Sequence, residues 1–232
     1  MSMNKHTINI GIPSKGRLKN DTLNIFKKKK LKIYSERGER DLFGYIKKLP
    51  NVKIIYLHAR ECIEQLSFGN IDIGFSGYDL FKESEINVQN KILINKRYNY
   101  GNANLVLAIP DLWIDVQTLL DLDEVADEFK KKKKKLLRVA TKYPNLTREF
   151  LYSKGVTQFQ LVKSLGSTEV APFTGIAEII SDITSTGATL KANNLRVLKD
   201  GEILKSQASM MVSKLSANKN GIKKLLKLLS NS

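Results

Sequence analysis

The sequence predicts an α/β protein built around a mostly parallel sheet. Short β-branched or apolar segments alternate with stretches of helical periodicity along the whole chain. Such alternation is typical of strands joined by crossover helices, which pair in parallel. A Gly- and Asn-rich segment, 99–104, separates two such series and predicts a crossing between two lobes. At 232 residues the chain can form one large domain or two small ones.

The first series begins with the β-branched segment 7–12, which predicts a strand that ends at Pro13. Leu18, Leu23 and Phe26 then follow on one helical face, with Asn20 or Asp21 expected in the first turn and lysines in the last. Further predicted elements are a strand at 52–57, a helix at 60–68 and strands at 71–75 and 91–95.

The second series has strands at 105–109, 136–140 and 158–163, and helices at 116–129, 146–153 and 188–193. Two further strands, 196–199 and 207–213, are expected to return toward the first lobe. Lysines 130–135 are expected to form a charged surface connection, Asn145 to cap a helix, and 166–169 to begin one. A C-terminal apolar stripe, Ile222, Leu225, Leu226 and Leu229, is expected to pack on its own domain; the alternative is a helix that lies on a membrane or a partner.

One stretch carries most of the functional information. The apolar pair Ile179–Ile180 leads to Asp182 and then to a hydroxyl-rich turn, 184–189. Such a turn can offer backbone N–H groups and hydroxyls to a phosphate. A carboxylate beside it can accept hydrogen bonds from sugar hydroxyls, so the stretch suits a ribose 5-phosphate. The alternative is an ordinary connection in which Ser and Thr act as caps.

A second candidate site follows the first predicted strand. The turn Ser14-Lys15-Gly16-Arg17 places two cations at the carboxyl end of that strand. Ligands bind at this position in open α/β sheets. A solvated basic turn explains the residues equally well.

The formal net charge of +16 favours acidic partners such as nucleic acid, an anionic membrane or a polyanionic substrate. Lysine runs at 27–30 and 130–135 contribute much of it, and no aromatics interleave with them, which argues against nucleic acid. A single cysteine, Cys62, excludes an internal disulfide. His6 and His58 have no ligand-like neighbours, so no protein-built metal site is predicted. Without a signal-like or membrane-spanning segment, the expected location is the cytoplasm.

The spacing around the hydroxyl-rich turn resembles the ATP phosphoribosyltransferase family of histidine biosynthesis. The matching positions are Glu169, Gly175, Ala177, Ile180, Asp182, Ile183, Thr186, Gly187, Thr189 and Leu190. Segments 12–18, 72–77, 138–145 and 165–169 are also similar to family motifs, so the resemblance covers nearly the whole chain.

This resemblance implies a two-lobed, periplasmic-binding-protein-like fold of the type IV phosphoribosyltransferases, with the lobes around a cleft. Lobe I would comprise residues 1–101 and 195–232, and lobe II residues 102–194. It also implies the short form, which lacks a C-terminal histidine-binding regulatory domain. Such forms work with a regulatory subunit related to histidyl-tRNA synthetase in a hetero-octamer; a homodimer alone is the alternative.

The implied reaction joins N1 of the adenine of ATP to C1 of phosphoribosyl pyrophosphate and releases pyrophosphate, with Mg²⁺ bound largely through substrate oxygens. Implied roles follow the motifs. Ser185, Thr186, Gly187, Ala188 and Thr189 would hold the 5-phosphate, Asp182 the ribose hydroxyls, and Glu169 would lie near the ribose or nucleotide. Lys15 and Arg17 would face the triphosphate or pyrophosphate, and Arg60 and Arg40 the leaving group, although solvent-exposed roles remain open for both arginines.

Two other functions are compatible with parts of the sequence. A phosphoribosyltransferase for another base would share the turn at 184–189, but segments 14–17 and 141–144 argue against it. A non-catalytic two-lobed binding protein would share the architecture, because fold does not determine function. For such a protein we would expect a secretion signal and no ribose-phosphate site.

Overall fold

The computed structural model describes residues 7–35 and 41–230, and its chain divides into two compact units. Unit 1 comprises Met1–Gly101 and Gln207–Ser232, and unit 2 comprises Asn102–Ser206. Each unit has its own sheet and its own apolar core. None of the helices in the described ranges is long and apolar enough to cross a membrane.

Unit 1 contains most of the short elements of the chain. Its strands are β1 (Ile8–Pro13), β2 (Ile33–Tyr34), β3 (Phe43–Ile46), β4 (Leu49–Leu57), β5 (Ile73–Gly77), β6 (Ile92–Arg97) and β12 (Ala208–Ser213). Its helices are α1 (Gly16–Lys28), α2 (Ala59–Phe68), α3 (Tyr78–Glu83), α4 (Ile86–Gln89) and α8 (Ile222–Ser230).

The unit 1 sheet, within the described residues, has the order β2-β3-β4-β1-β5-β12-β6. β1 pairs in parallel with β4 and with β5, so their carboxyl ends lie at one edge. Ile10, Ile54 and Ile73 are fully buried in its core. The apolar stripe of α8 packs against the same core, which confirms that this helix docks on its own domain.

Unit 2 contains the strands β7 (Ala103–Pro110), β8 (Leu137–Thr141), β9 (Phe159–Lys163), β10 (Ile179–Thr184) and β11 (Leu195–Ser206). Its helices are α5 (Leu119–Lys133), α6 (Pro144–Ser153) and α7 (Ala188–Ala192), with a 3-10 turn at Thr168–Val170. The strand order is β11-β7-β10-β8-β9. The pairs β10–β8 and β8–β9 are parallel, whereas β7 pairs antiparallel with both β10 and β11.

The return from unit 2 to unit 1 lies after Ser206 rather than near residue 194. β11 pairs with β7 from Leu195 to Ser206, and this ladder keeps the whole strand in unit 2. Residues 196–199, which were expected to return toward the first lobe, therefore belong to the second sheet. Of the two strands β11 and β12, it is β12 that pairs with strands of unit 1, namely β5 and β6.

The lysine run 130–135 lies on the surface, as the sequence suggested, but most of it is helical rather than a connection, because α5 continues to Lys133. Thr118 and Asp121 form a reciprocal capping box at the start of this helix. Near its end, Lys131 and Lys132 form ion pairs with Asp127 and Glu128 one turn earlier. These contacts compensate the repulsion between neighbouring lysines.

Three smaller expectations were also wrong. The first turn of α1 holds no acidic residue, because the helix begins at Gly16. Tyr143 rather than Asn145 is the N-cap of α6, with Pro144 at its first position. The segment 166–169 leads only to a 3-10 turn of three residues.

Candidate active site

The loop after β10 is exposed, and threonine hydroxyls shape its backbone. Gly187 has φ of 74°, and no atom lies within 4 Å of the position that a Cβ would take. The backbone conformation, not a close contact, therefore favours glycine. The N–H of Gly187 donates to Thr184 Oγ1 at 2.9 Å, and the N–H of Ala188 donates to Thr186 Oγ1 at 3.3 Å. Ser185, Thr186, Ala188 and Thr189 are all exposed.

Asp182 lies two residues before the end of β10 and is partly buried. Its Oδ1 accepts the N–H of Ile183 at 2.8 Å. Burial raises the pKa of the Asp182 carboxyl above its usual range, and the charge of Glu169 adds to this effect. The Ile183 N–H, the Lys142 ammonium and the Thr168 hydroxyl oppose it. Glu169 therefore lies close enough to Asp182 for its charge to act on the Asp182 pKa.

Thr168 and Lys142 were not identified as site residues from the sequence, although both influence Asp182. Thr168 is fully buried, and its hydroxyl oxygen also lies 3.0 Å from Ser164 Oγ, within hydrogen-bond distance. Lys142 follows β8, whose Thr141 pairs with Ser181 of β10 in parallel register. The carboxyl ends of two neighbouring strands therefore meet here. The sequence signals for Lys142 are its position directly after a buried strand and its place in segment 138–145, which resembles a family motif.

A corresponding edge in unit 1 carries exposed cations. β1 and β4 run in parallel to the pair Pro13–Leu57, and each is followed by a helix. Lys15 is the N-cap of α1, and Arg17 lies in its first turn. Arg60 lies in the first turn of α2, which His58 and Glu61 cap reciprocally. All three cationic side chains are exposed.

Two predicted features of the site need separate mention. Arg40 lies outside the described residues. Within residues 7–35 and 41–230, no group of three or more His, Cys, Asp or Glu side chains could hold a metal ion.

Comparison with solved structures first defines the class of protein. The fold is that of two-lobed α/β proteins of the periplasmic-binding type. The match to a substrate-binding protein of an amino acid ABC transporter covers 97% of this chain and 90% of that protein's chain, with a TM-score of 0.55 and 15% identity. The ATP phosphoribosyl transferase (HisG:HisZ) complex from Thermotoga maritima is more similar. It has a TM-score of 0.72 and 26% identity, and the match covers 96% of each chain.

Sequence comparison then gives the family. The family model described as HisG, ATP phosphoribosyltransferase, matches residues 58–231. An ATP phosphoribosyltransferase of Nitrobacter winogradskyi is 44% identical over 220 residues, which is 95% of this chain and 68% of the relative. One from Mesorhizobium japonicum is 43% identical over 208 residues, which is 89% of this chain and 90% of the relative.

The chain therefore belongs to the ATP phosphoribosyltransferase family. Members of this family are pentosyltransferases, and their reaction is the first step of histidine biosynthesis. The family, the fold class and the activity predicted from the sequence are confirmed.

Proposed function

We propose that the site around Asp182 binds phosphoribosyl pyrophosphate and that the chain transfers its 5-phosphoribosyl group to N1 of ATP. The observation that carries this proposal is a partly buried carboxylate, with a pKa raised by desolvation, directly beside an exposed, hydroxyl-rich loop. A ribose 5-phosphate carries a diol and a phosphate on one molecule, so it can bind a carboxylate and a neighbouring donor loop at the same time. The Asp182 carboxylate accepts hydrogen bonds from the diol, and the loop donates them to the phosphate.

The 5-phosphate is assigned to the loop residues Ser185, Thr186, Gly187, Ala188 and Thr189. Exposed hydroxyls and a glycine in the left-handed conformation favour this assignment, because such a loop can turn its donors toward one anion. Glu169, whose charge helps to raise the pKa of Asp182, is assigned to the ribose or the nucleotide.

The cations of unit 1 are assigned to the charged groups of the substrates. Lys15 and Arg17 bind the triphosphate of ATP or the pyrophosphate, and Arg60 steadies the leaving group. The exposure of all three side chains at the carboxyl edge of a parallel sheet supports these roles. Arg40 is assigned to the leaving group on the family resemblance alone.

Electrostatic stabilisation is the main task of such a site. Adenine N1 is a neutral nucleophile and needs no strong base. The barrier lies in the departure of pyrophosphate from C1, which becomes oxocarbenium-like in the transition state. Fixed cations near the departing oxygens stabilise that charge without reorganisation.

The family in general needs a divalent metal ion, and we assign Mg²⁺ to this chain. Mg²⁺ would be held mainly by diphosphate oxygens of the substrate, since it keeps several waters and takes few protein ligands. When bound, it neutralises part of the diphosphate charge.

A regulatory subunit related to histidyl-tRNA synthetase is the proposed partner. The similar Thermotoga maritima structure is a HisG:HisZ complex, which supports a partner of the HisZ type. A hetero-octamer is the proposed assembly and a homodimer the alternative. The cytoplasm is the proposed location.

The direct test is an assay of the purified chain with ATP, phosphoribosyl pyrophosphate and Mg²⁺, alone and with a HisZ-type subunit. We expect stoichiometric formation of phosphoribosyl-ATP and pyrophosphate. Adenine, other free bases and other nucleotides serve as competing acceptors. Pyrophosphate release with one of these acceptors, but not with ATP, would contradict the proposal and favour a transferase for another base.

A further inference from the structure

A chain of three buried hydroxyl groups joins the elements that carry the unit 2 site. Thr147 of α6 donates its hydroxyl hydrogen to Ser181 Oγ at 2.9 Å, and Thr141 Oγ1 lies 3.3 Å from Thr147 Oγ1. The N–H of Tyr143 donates to Thr141 Oγ1 at 2.9 Å. Thr141, Thr147 and Ser181 are 1%, 0% and 0% exposed. No bulk water therefore competes for these hydrogen bonds.

The donors and acceptors of this chain can be assigned by counting hydrogens. A threonine hydroxyl has one hydrogen, and that of Thr147 is used toward Ser181. Thr141 must therefore donate to Thr147, while it accepts the N–H of Tyr143. Each hydrogen bond of this hydroxyl network has one possible direction, so the network specifies a single arrangement of side chains. In a buried network of this kind the hydrogen bonds polarise one another, and they stiffen the secondary-structure elements that they join.

The two ends of this hydrogen-bonded hydroxyl network lie next to residues of the candidate site. Thr141 precedes Lys142, and Ser181 precedes Asp182. Side chains alternate along a strand, so Ser181 points toward α6 while Asp182 points to the opposite face of β10. The hydroxyls consequently cannot touch a ligand held by Asp182. They can only fix where the ends of β8 and β10 lie, through the register pair Ser181–Thr141 and the common partner Thr147.

We propose that Thr147 is a positioning residue for the phosphoribosyl site. Its hydroxyl holds the carboxyl ends of β8 and β10 together, so that Lys142 and Asp182 keep the distance which the ribose diol requires. Residues around α6 such as Leu151 and Val139 form an apolar core, and a valine would fill the same space there. A threonine is therefore explained by the hydrogen bond that it makes. This inference rests on the proposed function of Asp182.

The test compares Thr147→Val with Thr147→Ser. The valine variant removes the hydroxyl but keeps the branched shape, and the serine variant keeps the hydroxyl. We expect Thr147→Val to raise the KM for phosphoribosyl pyrophosphate about tenfold, as for the loss of one buried hydrogen bond. The KM for ATP should stay within about twofold, and Thr147→Ser should restore the wild-type KM for phosphoribosyl pyrophosphate.

Thr22→Val is the matched control in unit 1. Thr22 is also a fully buried threonine on a helix, and its hydroxyl donates to the carbonyl of Leu18 in that helix at 2.7 Å. This variant should lose stability as Thr147→Val does, with both KM values unchanged. If Thr147→Val does not fold, Ser181→Ala removes the acceptor at the end of the chain and should give the same KM effect.

Calorimetric binding of phosphoribosyl pyrophosphate to the same proteins gives a readout without turnover. An unchanged affinity in both Thr147→Val and Ser181→Ala would overturn the positioning role, as would an equal loss in Thr22→Val. Failure of the wild-type chain to bind phosphoribosyl pyrophosphate would instead overturn the proposed function. The two failures are therefore distinguishable.

Discussion

In unit 2 the two edges of the sheet hold acidic residues in opposite environments, and the amino edge of unit 1 repeats one of the two arrangements. At the amino edge, Asp72 precedes β5 in unit 1 and Glu178 precedes β10 in unit 2. Each carboxylate accepts a backbone N–H from the neighbouring parallel strand at 2.7 Å: Asp72 from Asn9, and Glu178 from Arg138. At the carboxyl edge, Asp182 accepts only its neighbour's N–H among the backbone bonds described for it.

Cations complete the amino-edge contacts. Lys219 Nζ lies 2.7 Å from Asp72 Oδ1, and Arg138 binds Glu178 through both Nε and Nη2. At the carboxyl edges the charges are exposed in unit 1 and partly shielded in unit 2. The comparison teaches that acids at the amino edge hold neighbouring strands together, whereas the backbone bond described for Asp182 is to its own neighbour, which fits the ligand role proposed for it.

Asp72→Ala should have the largest effect on stability. The variant removes a carboxylate that is almost fully buried and leaves the Asn9 N–H and Lys219 without their acceptor. We expect a loss of roughly 3–5 kcal/mol in the free energy of unfolding, measured by urea titration. Because the contact lies at the amino edge, the KM values of the remaining folded enzyme should not change. A large rise in either KM would contradict the division between edges.

Asp182→Ala should have the largest effect on activity. Loss of the acceptor for the ribose diol should lower kcat/KM for phosphoribosyl pyrophosphate by about 100- to 1000-fold, which is comparable to the loss of one preorganised transition-state contact. The circular dichroism spectrum and the urea midpoint should stay near those of the wild type. Activity close to wild type in this variant would remove Asp182 from the ribose site.

The pH profile of the wild-type enzyme supplies a second readout for Asp182. Its pKa is raised above the ordinary value of 3.8, mainly by burial. The carboxylate is the form that accepts hydrogen bonds from a diol, so kcat/KM should fall as the pH falls through this raised pKa. An acid limb at or below the ordinary value would show that Asp182 is not the titrating group.

Glu178→Gln should have a smaller effect, on stability alone. Burial opposes ionisation of Glu178, but the hydrogen bonds from Arg138 outweigh it and hold the pKa of Glu178 below its usual range. The ion pair therefore stabilises the fold above the unfolded pKa, and this contribution is lost as the pH falls through the lower folded pKa. We expect a loss of about 1–3 kcal/mol at pH 7 in urea titration.

The difference between wild type and Glu178→Gln should shrink when the same titration is repeated below the ordinary pKa of 4.5. Glu128→Gln is the control, since Glu128 pairs with Lys132 on the exposed face of α5. Its loss should not exceed about 0.5 kcal/mol. Equal losses in both variants would mean that the amino-edge pair is no stronger than a surface ion pair.

The sequence predicts the regular part of this fold because buried strands and amphipathic helices carry a period of their own. β1, β4 and β10 were recognisable in this way. The hairpin β2–β3 was not, since its strands have two and four residues and no clear alternation. What holds it is a close approach: a Cβ on Gly44 would lie 2.8 Å from Ile33 Cγ2, a tertiary contact that no local pattern reveals.

The candidate site divides in the same manner. Asp182 and the loop 184–189 are close in the sequence, so they are also close in the fold, and the sequence alone predicts that they lie together. Thr168, Lys142 and Thr147 come to the site from other elements, through parallel pairing and helix packing. Their roles depend on contacts between residues far apart in the chain, and a single sequence does not contain that information.

Gly187→Ala should have the smallest effect and gives the sharpest comparison within unit 2. Gly187 and Gly155 have φ of 74° and 85°, and neither has an atom within 4 Å of the position for a Cβ. Alanine should therefore cost each site about 1–2 kcal/mol of backbone strain and no steric clash. Gly155 lies in the turn after α6, outside the candidate site. Both variants should thus lose similar stability in urea titration, while only Gly187→Ala raises the KM for phosphoribosyl pyrophosphate, by roughly three- to tenfold. The same KM in both variants would show that the 184–189 loop does not bind the 5-phosphate.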